Sequence, residues 1–269
     1  MKCRFPPNEQ ETVLINEYER LWQRNKAPEW AYPIPPAISA IGSTMERRIL
    51  SLASSENISK GYSETLLKIF KREGFSHVVS RSRWEGNGSY FPYRHISPFN
   101  KGDQFIITWF ALVVAGVNVS YDITQFAEQI CTANAIKFTL LRDQNMPNRD
   151  PTGGLNLIAS KPYLIADLKV VKPEIIIIPR TRFNLLGGYR EWVHLLEEAE
   201  IQHSVKFIFI EQAVPQRINT SQGSPVIEEC RPIDAWIENC RCKKTMRGHL
   251  AFLKQKWVTR QDEWTVAIP

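Results

Sequence analysis

The chain has 269 residues, with 34 lysines and arginines against 28 acidic side chains, a net charge of +6 and an isoelectric point near 9.1. That length suits one large α/β domain with extensions, or two small domains, and the mild positive charge permits a polyanion partner without requiring one. No run of about 18 apolar residues occurs, which excludes a membrane-spanning helix, and the start MKCRFPPNEQETV lacks the apolar segment of a signal peptide.

Residues 1–46 read as an extension. In NEQETVLINEYERLWQR, Val13, Leu14, Tyr18 and Leu21 fall on one helical face, and the proline-rich APEWAYPIPPAIS follows. This arm is expected to pack on a single domain spanning 47–269. From Arg47 onward strand and helix patterns alternate. RRILSLA (47–53) is the first strand, followed by the helical YSETLLKIFKREG. The aromatic, glycine-bearing stretch 84–110 reads as a long loop entering a helix near Gln104. A helical approach, SYDITQFAEQI, leads to the strand ANAIKFTLL (133–141), and LIASKPYLIADLKVV is helical.

In KPEIIIIPRTRFN, isoleucines fill a strand too short and too β-branched for a helix, and Pro179, which cannot donate into a ladder, ends it. Apolarity on both faces predicts a central parallel strand covered by helices. YREWVHLLEEAEI is helical and VKFIFIE (205–211) is the fourth strand. The alternation predicts an α/β three-layer sandwich around a central four-stranded parallel sheet, with the second strand beside the first. The tail RCKKTMRGHLAFLKQKWVTRQDEWTVAIP, with its basic residues from Arg241 to Arg260, is the densest positive segment.

Five scattered cysteines, an odd number, suit a reducing cytosol better than a disulfide framework, so a cytoplasmic protein is expected. Cys230, Cys240 and Cys242, with His249 beyond them, have the spacing C-x9-C-x-C, which fits a zinc site poorly. Free thiols, no metal and no cofactor are the expectation.

Ligands of parallel sheets collect at the carboxyl ends of the strands, and Arg180, Thr181, Arg182 and Asn184 follow that end of the isoleucine strand. Two longer segments, TANAIKFTLLRDQNMPNRDP and LIASKPYLIADLKVVKPEIIII, then carry a resemblance. Thr132, Asn134, Ile136 and Lys137, the loop residues Asn148, Arg149 and Pro151, and Tyr163, Leu164, Lys172 and Pro173 occur in an order similar to that of the uracil-DNA glycosylase superfamily. The resemblance covers roughly residues 131–179 and implies a four-stranded parallel sheet that hydrolyses the bond between a base and deoxyribose in DNA.

The same resemblance implies roles for individual residues. Asn134 occupies the position of an asparagine that pairs with a pyrimidine edge. The end of the first strand, LASSENISKGYSETLL, offers Glu56 to activate water or stabilise charge, and Asn57 as its alternative. The family's glycine-rich, proline-bearing motif is absent there, and a plain helix N-cap is the other reading of Asn57. After the fourth strand, FIFIEQAVPQRIN has no histidine where the family has His-Pro-Ser; Gln212 is the candidate base donor and Arg217 a candidate phosphate contact. Phe99 is the candidate for stacking on a flipped base, ahead of Phe91 and Tyr93. Arg180 and Arg182 are further candidates for phosphate contact, and a monomer that binds DNA is expected.

Two other readings stand beside this one. Asp167-Leu-Lys169, with Asp150 upstream, has the D-x-K spacing of metal-dependent nucleases. However, Ile158, Leu164, Leu168 and Val171 recur at helical spacing, which would turn Asp167 toward solvent. A base-reading protein that keeps the fold without the chemistry is the third reading.

Overall fold

The computed structural model describes residues 8–31, 33–36, 38–44, 47–55, 64, 67–68, 70–72, 74, 103–120, 123–138, 153–211, 224–238 and 243–269. In chain order the elements are α1 (Glu9–Arg24), β1 (Ala40–Ile41), β2 (Ile49–Ser55), α2 (Asp103–Val114), α3 (Ile123–Glu128), β3 (Ile130–Ile136), α4 (Gly153–Val171), β4 (Ile175–Pro179), α5 (Arg180–Leu185), α6 (Gly188–Glu198), β5 (Val205–Ile210), α7 (Arg231–Glu238), α8 (Lys243–Arg260) and β6 (Thr265–Ile268).

The sheet order is β1-β3-β2-β4-β5-β6. β3, β2, β4 and β5 are mutually parallel, and β3 lies beside β2 as the sequence predicts. The sheet nevertheless has six strands rather than the expected four, because β1 and β6 add antiparallel edges to β3 and β5. The arm and the tail each supply one of these edges.

Side chains alternate across the pleat and divide the core in two. Leu50, Leu52, Cys131, Ala135, Ile176, Ile178, Phe207 and Phe209 pack with α1, α4, α5 and α6. Ile49, Ile130, Ile175, Ile177, Ile208 and Ile210 pack with α2, α3, α7 and α8. Helices on both faces explain why β4 is buried throughout.

Local chemistry fixes the element ends. Asn8 caps α1, accepting from the Glu11 amide at 2.9 Å while Glu11 accepts from the Asn8 amide at 3.0 Å. The helix buries Leu14, Tyr18 and Leu21 as predicted, but Val13 is 57 % exposed. β3 begins at Ile130 and stops at Ile136, earlier than the expected 133–141. Gly42, at the exit of β1, lies so close to α3 that a Cβ there would fall 2.2 Å from the Glu128 carbonyl oxygen. Pro179 ends β4, and α5 starts at once with Arg180, so the polar residues that follow the strand are helical.

The basic tail forms α8, and much of its charge is compensated. Lys254 is buried and pairs with Asp234 at 2.9 Å, and Arg247 pairs with Glu238. Asp167 is helical, as its periodicity indicates, yet it is fully buried rather than turned to solvent. Lys137 and Tyr18 approach it from other parts of the chain and supply the partners that a buried carboxylate requires.

Candidate functional site

The carboxyl ends of β2 and β3 form the centre of the candidate site. Ser51 pairs in register with Thr132, and Ala53 with Asn134. Asn134 alternates with Ala133 and Ala135 and therefore lies on the same sheet face as Ile130 and Thr132, the face covered by α2. Along this face the strands change character over about 13 Å. Ile49 and Ile130 are apolar, Ser51 and Thr132 bring hydroxyls, and Asn134 ends the series with an amide beside the small Ala53.

α2 completes this stripe. It is almost wholly apolar, and its single hydroxyl, Thr108, forms a 2.7 Å hydrogen bond with Ser51. Thr132 is 7 % exposed, and its Oγ1 has no hydrogen-bond partner among the described residues. Asn134 is half-buried. An amide in that position can both donate and accept, which is what a pyrimidine edge presents.

A second group of charges sits at the ends of β4 and β5. The Arg180 guanidinium donates to the Glu263 carbonyl and lies 4.7 Å from the centroid of the Phe209 ring. Arg182 is half-buried, and its Nε makes no hydrogen bond among the described residues. Phe183 holds the helix carrying both arginines, with ring centroids 4.8 Å from Phe209, 5.4 Å from Phe207 and 5.9 Å from Trp192. Arg260 approaches Glu211 at 3.9 Å on the same edge. The edge therefore gathers the guanidinium groups of Arg180 and Arg182 on α5 and of Arg260 at the end of α8, with Arg180 already engaged by the protein.

Of the residues singled out in the sequence, Asn134, Arg180 and Arg182 all stand at carboxyl ends of parallel strands. Glu56, Asn57, Phe99, Gln212 and Arg217 lie outside the described residues, as do Asn148, Arg149, Cys240 and Cys242. Ser51 and Thr108 escaped the sequence reading. Their signal was present, because Thr108 is the single hydroxyl of α2 and Ser51 stands between Leu50 and Leu52 in β2.

Behind β3, on the opposite face, Lys137 donates to Asp167 in an ion pair whose side chains are 1 % and 0 % exposed, and the Tyr18 hydroxyl donates to the same carboxylate at 2.8 Å. The Lys137 amide donates to Ser160 Oγ at 2.8 Å. Burial, and then the Asp167 charge, push the Tyr18 phenol well above its ordinary range. The Cys131 thiol is raised in the same way, first by burial.

Other features of the described residues lie elsewhere. An open cavity of about 130 Å³, lined by Arg47, Ile49, Asn118, Val119 and Gln129, sits at the amino ends of β2 and β3, opposite the candidate site. Among the described residues no group of three His, Cys, Asp or Glu side chains is placed to hold a metal ion, and no helix is long and apolar enough to cross a membrane. No protein-family model matches the chain, and no curated protein matches it significantly.

Proposed function

We propose that the protein is a DNA glycosylase that flips uracil or a modified pyrimidine out of the duplex and hydrolyses its N-glycosidic bond. The observation that carries this reading is Asn134, an amide at the carboxyl edge of the parallel sheet, beside Ala53 and above the hydroxyls of Ser51, Thr108 and Thr132. The segments that resemble the uracil-DNA glycosylase superfamily also meet in space. Lys137 bonds to Ser160 and Asp167 of α4, and the ring of Phe138 lies 5.7 Å from that of Tyr163.

Flipping a base costs roughly a few kcal/mol, which stacking and hydrogen bonds along its edge recover. In this reading Asn134 supplies the edge contact, Phe99 the stacking surface and Gln212 a donor to the base. Glu56, or Asn57 in its place, orients water or stabilises the oxocarbenium-like sugar. Arg180, Arg182 and Arg217 bind phosphates and hold the duplex without reading sequence. Arg182 is the better placed of the two described arginines, because Arg180 is committed to the Glu263 carbonyl.

A second reading, base binding without excision, is favoured by one specific feature: FIFIEQAVPQRIN contains no histidine to stabilise a departing base. Incubation with oligonucleotides carrying uracil and a panel of modified pyrimidines, followed by alkali, separates the two. Strand breaks at the modified position establish excision. Tight binding to these oligonucleotides without breaks establishes the reader, and neither result on any substrate removes both.

A further inference from the structure

We infer that α1 is a clamp on β3 and that Tyr18 is a positioning residue for Asn134. The inference rests on the proposed role of Asn134 for its functional meaning, but the contacts that define the clamp are independent of it. The helix holds the strand at two places, one on each side of Asn134.

The first attachment is at the start of α1. Asn8 Nδ2 donates to the Ile41 carbonyl at 2.9 Å, and the Ile41 amide donates to Glu11 Oε1 at 3.0 Å. Both backbone groups belong to β1, which pairs with β3 through Ala40 opposite Thr132 and Ile41 opposite Cys131. Glu11 is fully buried, and its carboxylate accepts from the Ile41 amide through Oε1 and from the Asn8 amide through Oε2. The amino half of β3 is therefore fastened to the cap of α1 through β1.

The second attachment is in the middle of α1. Tyr18 donates to Asp167 at 2.8 Å, and Asp167 receives the Lys137 ammonium, which lies 5.8 Å from the centroid of the Tyr18 ring. Lys137 is the residue immediately after β3. Ring contacts extend this fixing: Tyr18 lies 4.8 Å from Tyr163, Tyr163 lies 5.7 Å from Phe138, and Phe138 lies 6.3 Å from Trp30 in the proline-rich segment. The strand is thus pinned at Cys131 and Thr132 before Asn134, and at Lys137 and Phe138 after it.

The chemistry favours a rigid clamp over a switch. Asp167 has one oxygen for Tyr18 and one for Lys137, and all three side chains are excluded from water. An amide that must meet a base edge within a few tenths of an ångström gains from such support, because a displacement of about 1 Å at a reacting group costs around a hundredfold in rate.

The test is hydrogen exchange on the whole chain carrying Tyr18→Phe, which keeps the ring and removes one hydroxyl. Amides from Asn134 to Phe138 are expected to exchange at least tenfold faster, while those of Ile176 to Ile178 and Phe207 to Phe209 keep wild-type rates. Trp30→Leu, which removes the ring packed on Phe138 and leaves Asp167 alone, should loosen the same amides. Unchanged exchange at 134–138 in both variants, or acceleration spread evenly over β2 to β5, overturns the clamp. If the wild type excises a base, Tyr18→Phe should lower kcat about tenfold with little change in KM. If it excises none while the local loosening is observed, the clamp stands and the glycosylase reading falls.

Discussion

Asp167 and Lys137 form an ion pair sealed from solvent, with side chains 0 % and 1 % exposed, between the carboxyl-terminal part of α4 and the exit of β3. Removing one partner leaves a buried charge uncompensated, so Asp167→Ala is expected to cost about 3–5 kcal/mol of stability. Replacing both, with Lys137→Met and Asp167→Leu together, should cost less than Asp167→Ala alone. Urea denaturation of the three proteins checks this, and a double variant less stable than Asp167→Ala contradicts it.

Asn134→Ala tests the base contact directly. A bidentate contact to a base edge is worth about 1–3 kcal/mol of discrimination, so the variant should lose between fivefold and about a hundredfold of its preference among pyrimidines while its melting temperature stays near that of the wild type. Competition between oligonucleotides, measured by binding or by excision, reports the preference. Identical ranking of substrates in both proteins removes Asn134 from the site.

Salt dependence tests the arginines. Each phosphate neutralised adds close to one unit to the slope of log affinity against log salt, and a slope of about three or more is expected for the wild type. Arg182→Ala and Arg217→Ala should each lower it by about one unit by the same counterion argument. Arg180→Ala should lower it less, because that guanidinium is already held by the Glu263 carbonyl and the Phe209 ring. Fluorescence-anisotropy titrations across salt concentrations give the slopes, and absence of binding at low salt ends the DNA reading.

Alkaline pH should destabilise the fold. Burial pushes the Cys230 thiol up to about 12, and raises the Cys131 thiol and the Tyr18 phenol well above their ordinary values. In the unfolded chain these groups ionise first as pH rises, so the unfolded state gains and stability is lost. The contribution is fully present below roughly pH 8 and declines from about pH 9 upward. Urea midpoints at pH 7, 9 and 10.5 measure the decline, and a flat profile contradicts it. The same burial predicts that Cys131 and Cys230 react with alkylating agents only after unfolding.

The parallel core was legible because its strands are short apolar runs bounded by breakers: Pro173 and Pro179 frame β4, and the period changes cleanly into α6. The limits of β3 were less legible. Lys137 and Phe138 continue the alternation beyond Ile136, yet they turn out of the ladder toward Asp167 and Tyr163. β1, only two residues long, and β6, only four, have too little sequence to show a period. The burial of Asp167 depends on Tyr18, which lies 149 residues away, and no local pattern carries that information. Asn134 was singled out only through the family resemblance, and its place beside Ala53 comes from the register of β3 with β2, whereas the Ser51–Thr108 pair required knowing that α2 packs on β2.

The antiparallel strands at the two sides of the sheet have a further consequence. A parallel sheet without them would present the bare backbone donors and acceptors of β3 and β5 to other molecules. β1 covers part of one margin through Ala40 and Ile41, and β6 covers the other from Val205 to Ile208. A fragment trimmed to the regular strand and helix alternation, roughly residues 47–211, would uncover both margins at once and self-associate. What the two margins of the sheet can pair with is therefore set by the arm and the tail.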